Sequence, residues 1–296
     1  MERIKRAPRN VDTLNSWKTE KDISLDDILR PRVSFSTNSE GNPILLGGNT
    51  RRHTGVYVGR VHFKDGSINR VAIKRFGLLR NDEYAAQKTN EVIKHLVEAG
   101  VSLPKMRMIK LPKGTPFGKE QLVDDEWVLV SQLFGSTQKG SKLHPKSWVL
   151  LSDKESRKEA VAELTKVTNA GYPPADDIIE PLMGKQGVVP FDLDEIFMEE
   201  RRNMADLTEV RKLANELLID IALVARDHPE DIRTLLSIAR RTASPKLGEI
   251  LGATVGDIST QDDTTGRMIL GLWGENANPI VSNAVNQMIR SLKGNM

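Results

Sequence analysis

The sequence contains no cysteine, which excludes a disulfide framework and thiolate metal sites and fits a reducing compartment, so the cytoplasm is the expected location. It also lacks any run near the roughly 18 to 20 apolar residues of a membrane span. The most apolar stretch, LANELLIDIALVA, is broken by Asn215, Glu216 and Asp220. The basic start MERIKRAPRN has no apolar segment behind it of the kind a secretory signal needs. Histidines are few and scattered (53, 62, 95, 144 and 228), and H-E-x-x-H is missing, so the spacing makes no transition-metal site. Neither the phosphate loop G-x-x-x-x-G-K-[ST] nor the acyl-hydrolase elbow G-x-S-x-G occurs. Aromatics make up only 5% of residues and are not interleaved with the basic clusters ERIKRAPR and NTRRH. A basic nucleic-acid-binding module, which stacks bases on aromatics, is therefore the least favoured reading. Charge of one sign is scarce too, with 43 basic against 40 acidic residues.

What is present is length enough for two lobes and a change of pattern along the chain. Residues 1–34 mix charge with Pro8 and Pro31 and read as an N-terminal extension. From 43 to 76 the pattern is β: PILL, then GVYVGRVHF, a KDGS turn, and INRVAIKRF. Residues 82–99 carry Val92, Ile93, Leu96 and Val97 at helical spacing, and Gly100 followed by Pro104 stops the helix. KMRMIKL and EWVLVSQLF read as two further strands separated by a Pro/Gly/Lys loop. After Gly135 the chain turns helical, near 153–170, 206–226, 229–241 and 279–293, with a short β signal in GVVPFDLD. The expected fold is α+β, with a small antiparallel β lobe holding one helix over 35–135 and a mostly helical large lobe over 136–296.

Lys74 is the residue that asks for an explanation. It sits inside RVAIKRF, flanked by Val71, Ala72, Ile73 and Phe76. Side chains alternate along a strand, so Lys74 either faces solvent or points into a cleft and holds an anion.

The segment TGVYVGRVHFKDGSINRVAIKRF resembles the run of the protein-kinase-like superfamily from the end of its Gly-rich loop to its lysine strand, where the family reads V-A-I-K. NEVIKHLVEAGVSLPKM, from Glu91 to Pro104, is similar to the glutamate helix, glycine stop and proline of aminoglycoside-phosphotransferase-like and related atypical kinases. The resemblance covers about residues 46–197 in the family's order. It implies ATP and Mg2+ as cofactors. It also implies that Lys74 binds the α/β-phosphates, that Glu91 positions Lys74 (Glu83 and Glu98 being competitors), and that Val56 covers the adenine. Gln132, Leu133 and Phe134 would form the hinge that meets the adenine edge. Asp192 stands where the family has its metal-binding aspartate, and Asp194 replaces the glycine two residues on; carboxylates on a loop suit magnesium.

The chain departs from the family in two further places. Gly47, Gly48, Gly55 and Gly59 surround NTRRHT without making G-x-G-x-x-G, so Gly48 and Gly55 could cradle phosphate only in another loop geometry. In NAGYPPADDIIEPLMGKQG, Tyr172 replaces the histidine of the catalytic loop and no asparagine follows. Asp176 or Asp177 would then receive the acceptor's proton, and Glu180 falls near the place of the metal-binding asparagine. The implied function is phosphoryl transfer from ATP to a hydroxyl acceptor, on a protein Ser/Thr or a small molecule. The rival is a catalytically inactive pseudokinase scaffold that binds nucleotide or protein partners. ARRTASPKLG places a serine near Arg240 and Arg241, where it could accept phosphate, although basic residues at a helix C-terminus equally suit the helix dipole.

Overall fold

The structure is a computed structural model; it describes residues 33–47, 54–62, 68–76, 82–103, 106–132, 153–174, 179–181, 188–190, 196–271 and 279–294. Gly48, Leu133, Phe134, Asp176, Asp177, Asp192 and Asp194, the NTRRH loop tip and the KDGS turn lie outside the described residues. The chain divides into two compact units, Met1–Gln87 with Pro104–Leu133, and Lys88–Leu103 with Phe134–Met296.

The first unit is built on an antiparallel sheet of β1 (Val33–Phe35), β2 (Leu45–Gly47), β3 (Thr54–His62), β4 (Ile68–Phe76), β5 (Met106–Leu111) and β8 (Glu126–Gln132). The strands lie in the order β1-β3-β4-β8-β5, and β2 pairs with β3 as well. β1 and β2 act as one interrupted edge strand, because β1 pairs with Gly59–Val61 and β2 with Val56 and Tyr57. The residues between them form a turn in which the Asn38 side chain accepts the N–H groups of Glu40 and Asn42 at 3.0 and 2.9 Å, and Gly41 takes φ 80°. Val33 and Ser34 belong to this sheet.

Strand register sorts the side chains onto two faces. On one, Val71 and Ile73 pack with Val33, Phe35, Tyr57, Val61, Ile109, Leu111, Val128 and Val130. The connection from β5 to β8 covers this face through a small hairpin, β6 (Pro116–Phe117) and β7 (Glu120–Gln121). Phe117 meets Phe35 and Tyr57 edge to face at 4.9 and 5.0 Å. Arg75, on the same face, forms a bidentate pair with Glu126 at 2.7 Å and stacks its guanidinium 4.5 Å from the Phe117 ring. On the opposite face Val58, Ala72, Phe76, Met106, Met108 and Leu129 are buried as well. Over Val71, Ala72 and Ile73 β4 is thus enclosed on both sides, which is why the sequence there runs V-A-I without polar alternation.

α1 (Glu83–Glu98) follows β4 in the chain and buries Ala85, Ala86, Val92, Ile93 and Leu96. It stops where expected, at Gly100 with φ 77°. The second unit holds α2 (Lys154–Asn169), the hairpin of β9 (Ile179–Pro181) and β10 (Val188–Pro190), α3 (Leu207–Val224), α4 (Ile232–Thr242), α5 (Pro245–Thr260), α6 (Asp263–Ile269) and α7 (Pro279–Lys293). Asp153, Asp206 and Asp262 cap the starts of α2, α3 and α6 by accepting backbone N–H bonds. Val161, Leu164, Leu213, Leu217, Leu235 and Leu247 are fully buried where these helices meet. α2 is fastened to the turn before α4 by Arg157, whose Nε and Nη2 donate to Asp231 Oδ2 at 3.0 and 2.6 Å, and by Lys154, 2.8 Å from Asp231 Oδ1.

The fold is α+β, an antiparallel sheet with one helix followed in the chain by helices. Seven α-helices occur among the described residues. None is long and apolar enough to cross a membrane.

Candidate functional site

In the first unit Lys74 sits on β4 between β3 and β8, directly opposite Val56 on one neighbour and Leu129 on the other. Its immediate neighbours on that face are apolar, with Ala72 and Phe76 along its own strand and Val58 and Leu129 beside it all buried, while Arg60 and Arg70 farther along the face are exposed. Lys74 itself is half-buried, and its Nζ lies 5.8 Å from the centroid of the Phe76 ring. A solvent-facing lysine on a half-buried strand has polar neighbours on its own face. Here the neighbours are buried, so the ammonium is a cation held by a rigid strand against apolar surface, which strengthens its attraction for an anion.

Val56 is half-buried and shares the Lys74 face. Gly55 lies at the start of β3. Gly59 is different in kind. It lies mid-strand opposite Val71, and a Cβ there would overlap the Ile73 side chain. It is a packing glycine of the sheet rather than part of a loop around a ligand. Gln132 ends β8, opposite Val71, on the way to Leu133 and Phe134.

In the second unit the described residues bring together a group centred on Tyr172. The chain leaves α2 through Gly171 at φ 89°, where a Cβ would come within 2.8 Å of the Arg202 carbonyl oxygen, so a side chain is excluded twice over. Arg202 N donates to Gly171 O at 2.8 Å, and Arg201 Nε donates to Ala170 O at 2.8 Å. These bonds aim Tyr172 inward, leaving it 2% exposed. Its hydroxyl lies 2.8 Å from His95 Nδ1 on α1, with the two rings stacked at 6.2 Å. Burial, and in smaller measure the charge of Glu91, push the Tyr172 phenol above its ordinary range, against the opposing pull of Arg201. The raised phenol keeps its proton, and the His95 tautomer sets which partner donates in this bond.

Glu91 lies one turn before His95 on α1, on the exposed side of the helix. A second anchor follows the helix: Glu163 on α2, 6% exposed, accepts from Ser102 N at 2.7 Å and Ser102 Oγ at 2.9 Å, and pairs with Lys166 at 2.6 Å. Together these bonds explain why Lys88–Leu103 groups with the helices rather than with the sheet. Glu180 stands on β9 opposite Val189 of β10. No group of three or more His, Asp or Glu converges among the described residues. The Tyr172–His95 pair is invisible in the sequence, since its partners are 77 residues apart and no motif links them.

No protein-family profile and no curated protein matches the sequence. Among solved structures the chain is similar to a MAP kinase from Leishmania major at 11% identity, covering 90% of this chain and 79% of that chain with a TM-score of 0.34. A drought responsive inactive kinase, a pseudokinase, is similar at 10% identity, covering 87% of this chain and 93% of that chain with a TM-score of 0.34. An apo pseudokinase is similar at 11% identity, covering 87% and 94% with a TM-score of 0.32. Likeness at these scores assigns no residue a role.

Proposed function

We propose that this chain is a kinase-like protein of the cytoplasm that binds ATP at Lys74 and transfers its terminal phosphoryl group to a hydroxyl acceptor. The observation that carries the reading is the setting of Lys74: a half-buried lysine whose nearest neighbours on its face of the strand, Ala72, Phe76, Val58 and Leu129, are buried apolar side chains. The strand fixes the backbone from which the lysine reaches, as binding of a nucleotide phosphate requires. The place of β4 in the order of elements supports it: a loop, β3, the lysine strand, α1, and then β5 and β8. In this reading Glu91 orients Lys74, Gly48, Gly55 and Val56 line the nucleotide, and Gln132, Leu133 and Phe134 meet its base. Asp192, Asp194 and Glu180 hold Mg2+, which neutralises phosphate charge when bound, and Asp176 or Asp177 faces the acceptor. The finer placing near the aminoglycoside-phosphotransferase-like kinases rests on the segment from Glu91 to Pro104 and belongs to the same proposal.

A second reading, an inactive scaffold of the same fold, is favoured by one observation. Tyr172 stands where the resemblance expects the histidine of the catalytic loop, and it is buried and hydrogen-bonded to His95. Incubation with γ-labelled ATP and Mg2+ separates the two. Label transferred by the wild type and lost in both Lys74→Ala and Asp192→Ala supports the transferase. Label retained in both variants removes the site assignment, and no label from the wild type, with ATP still bound, supports the scaffold.

A further inference from the structure

Arg60 on β3 and Arg70 on β4 are direct cross-strand partners, and both are exposed. Their register puts both side chains on the Lys74 face of the sheet, with Ser34 of β1 next in the same row beside Arg60. Side chains opposite each other in an antiparallel pair stand about 4.5 to 5.5 Å apart at Cβ, and like charges there repel. Among the described residues neither arginine side chain has a hydrogen bond or an ion pair. The other charged groups of this sheet are treated differently. Arg75 is matched by Glu126, and Lys110 by Asp125 at 3.0 Å. Two permanently charged forks side by side, with no acid supplied by the described chain, form a standing repulsion in the folded protein.

We propose that Arg60 and Arg70 form a docking point for an acidic segment of a partner protein. A carboxylate seated between the two guanidiniums converts the repulsion into paired charge-assisted hydrogen bonds, which the planar fork favours. Ile68, two residues from Arg70 on the same face and 53% exposed, adds apolar surface beside the charges. The partner segment therefore carries an Asp or Glu with an aliphatic neighbour. A nucleic acid fits less well, because phosphate backbones are bound by rows of about six to ten cations rather than by one pair flanked by an isoleucine. The inference uses no nucleotide and stands apart from the proposed phosphoryl transfer.

The test is selection of a displayed library of random peptides on the full chain, with subtraction on the R60Q/R70Q variant. Enrichment of peptides that join Asp or Glu to an aliphatic residue is expected. Recovered peptides should bind R60Q/R70Q at least tenfold more weakly and weaken as salt is raised. No enrichment, enrichment without acidic residues, or equal binding to the variant overturns the proposal. Single-stranded DNA or phosphatidylserine vesicles bound through the same pair overturn the assigned partner class. The melting temperatures of R60Q and R70Q give an independent check, because relief of repulsion leaves them level or raised. A fall beyond about 2 °C in either means the arginines serve the fold instead, which also overturns the proposal.

Discussion

Gly59→Ala is expected to destabilise the first unit, and the structure sets the size of the effect. A Cβ on Gly59 overlaps Ile73 Cδ1, lies 2.8 Å from Ile73 Cγ1 and 3.0 Å from the Ser34 carbonyl oxygen. Ile73 is fully buried among Tyr57, Val71 and Val130, so it cannot withdraw without disturbing the core. Overpacking of this kind costs about 1 to 3 kcal/mol. Loss of glycine freedom in the unfolded chain offsets about 0.4 to 1 kcal/mol of that. The net loss is about 1 to 2 kcal/mol, which lowers the melting temperature of a unit this size by about 4 to 8 °C per kcal/mol. Paired denaturation curves provide the assay. Introduced into an Ile73→Ala background, where both offending carbons are gone, the same substitution should be neutral or stabilising, because the new methyl fills part of the cavity. A neutral Gly59→Ala in the wild-type background, or the same loss in both backgrounds, refutes the packing role.

Tyr172→Phe removes one hydroxyl and leaves His95 Nδ1 without that partner, for a loss of about 0.5 to 1.5 kcal/mol in urea unfolding; unchanged stability contradicts the bond. Asp231→Asn removes the carboxylate charge that faces the buried Arg157 guanidinium and Lys154 and should cost about 3 to 5 kcal/mol, read as an earlier denaturation midpoint. Burial pushes the Asp231 carboxyl up, but the bonds from Lys154 and Arg157 more than offset this and hold it below its ordinary value. Its contribution is therefore complete above the ordinary carboxylate range, about pH 4, and is lost as pH falls through the lower folded-state value. A wild type and an Asp231→Asn variant with the same pH dependence of stability below pH 5 would rule out that role.

The sequence patterns that proved readable were those with one dominant period. The three long strands and the helices at 83–98, 154–169, 207–224 and 279–293 appear within a few residues of expectation, as does the helix before Thr242, which starts later than expected because Pro229–Asp231 forms a 3-10 turn. α5 was hidden by Gly248, Gly252 and Gly256, although Leu247, Leu251, Thr254 and Ile258 are buried at helical spacing. Gly252 has a local reason, since the Arg240 guanidinium lies 3.2 Å from where its Cβ would be. β1 escaped notice because three residues after Pro31 carry too little pattern, and the β6–β7 hairpin because two-residue strands carry none. Ser244, singled out beside Arg240 and Arg241, precedes α5, and its backbone N–H donates to Asn169 Oδ1 at 2.8 Å. The position of Lys74 on a strand was legible because a cation interrupts an apolar strand run. The Tyr172–His95 and Ser102–Glu163 pairs were not, because tertiary hydrogen bonds leave no local trace in a single sequence.

The reading as a whole turns on whether the Lys74 ammonium holds a nucleotide phosphate. Isothermal titration of ATP and Mg2+ into the wild type, Lys74→Ala and Lys110→Ala measures this directly. Loss of a charge-assisted contact worth about 1.5 to 3 kcal/mol weakens binding about ten- to a hundredfold. Binding by the wild type, weakened to that degree in Lys74→Ala and unchanged in Lys110→Ala on the edge strand, is the predicted result. No binding by the wild type, or equal binding by Lys74→Ala, contradicts it.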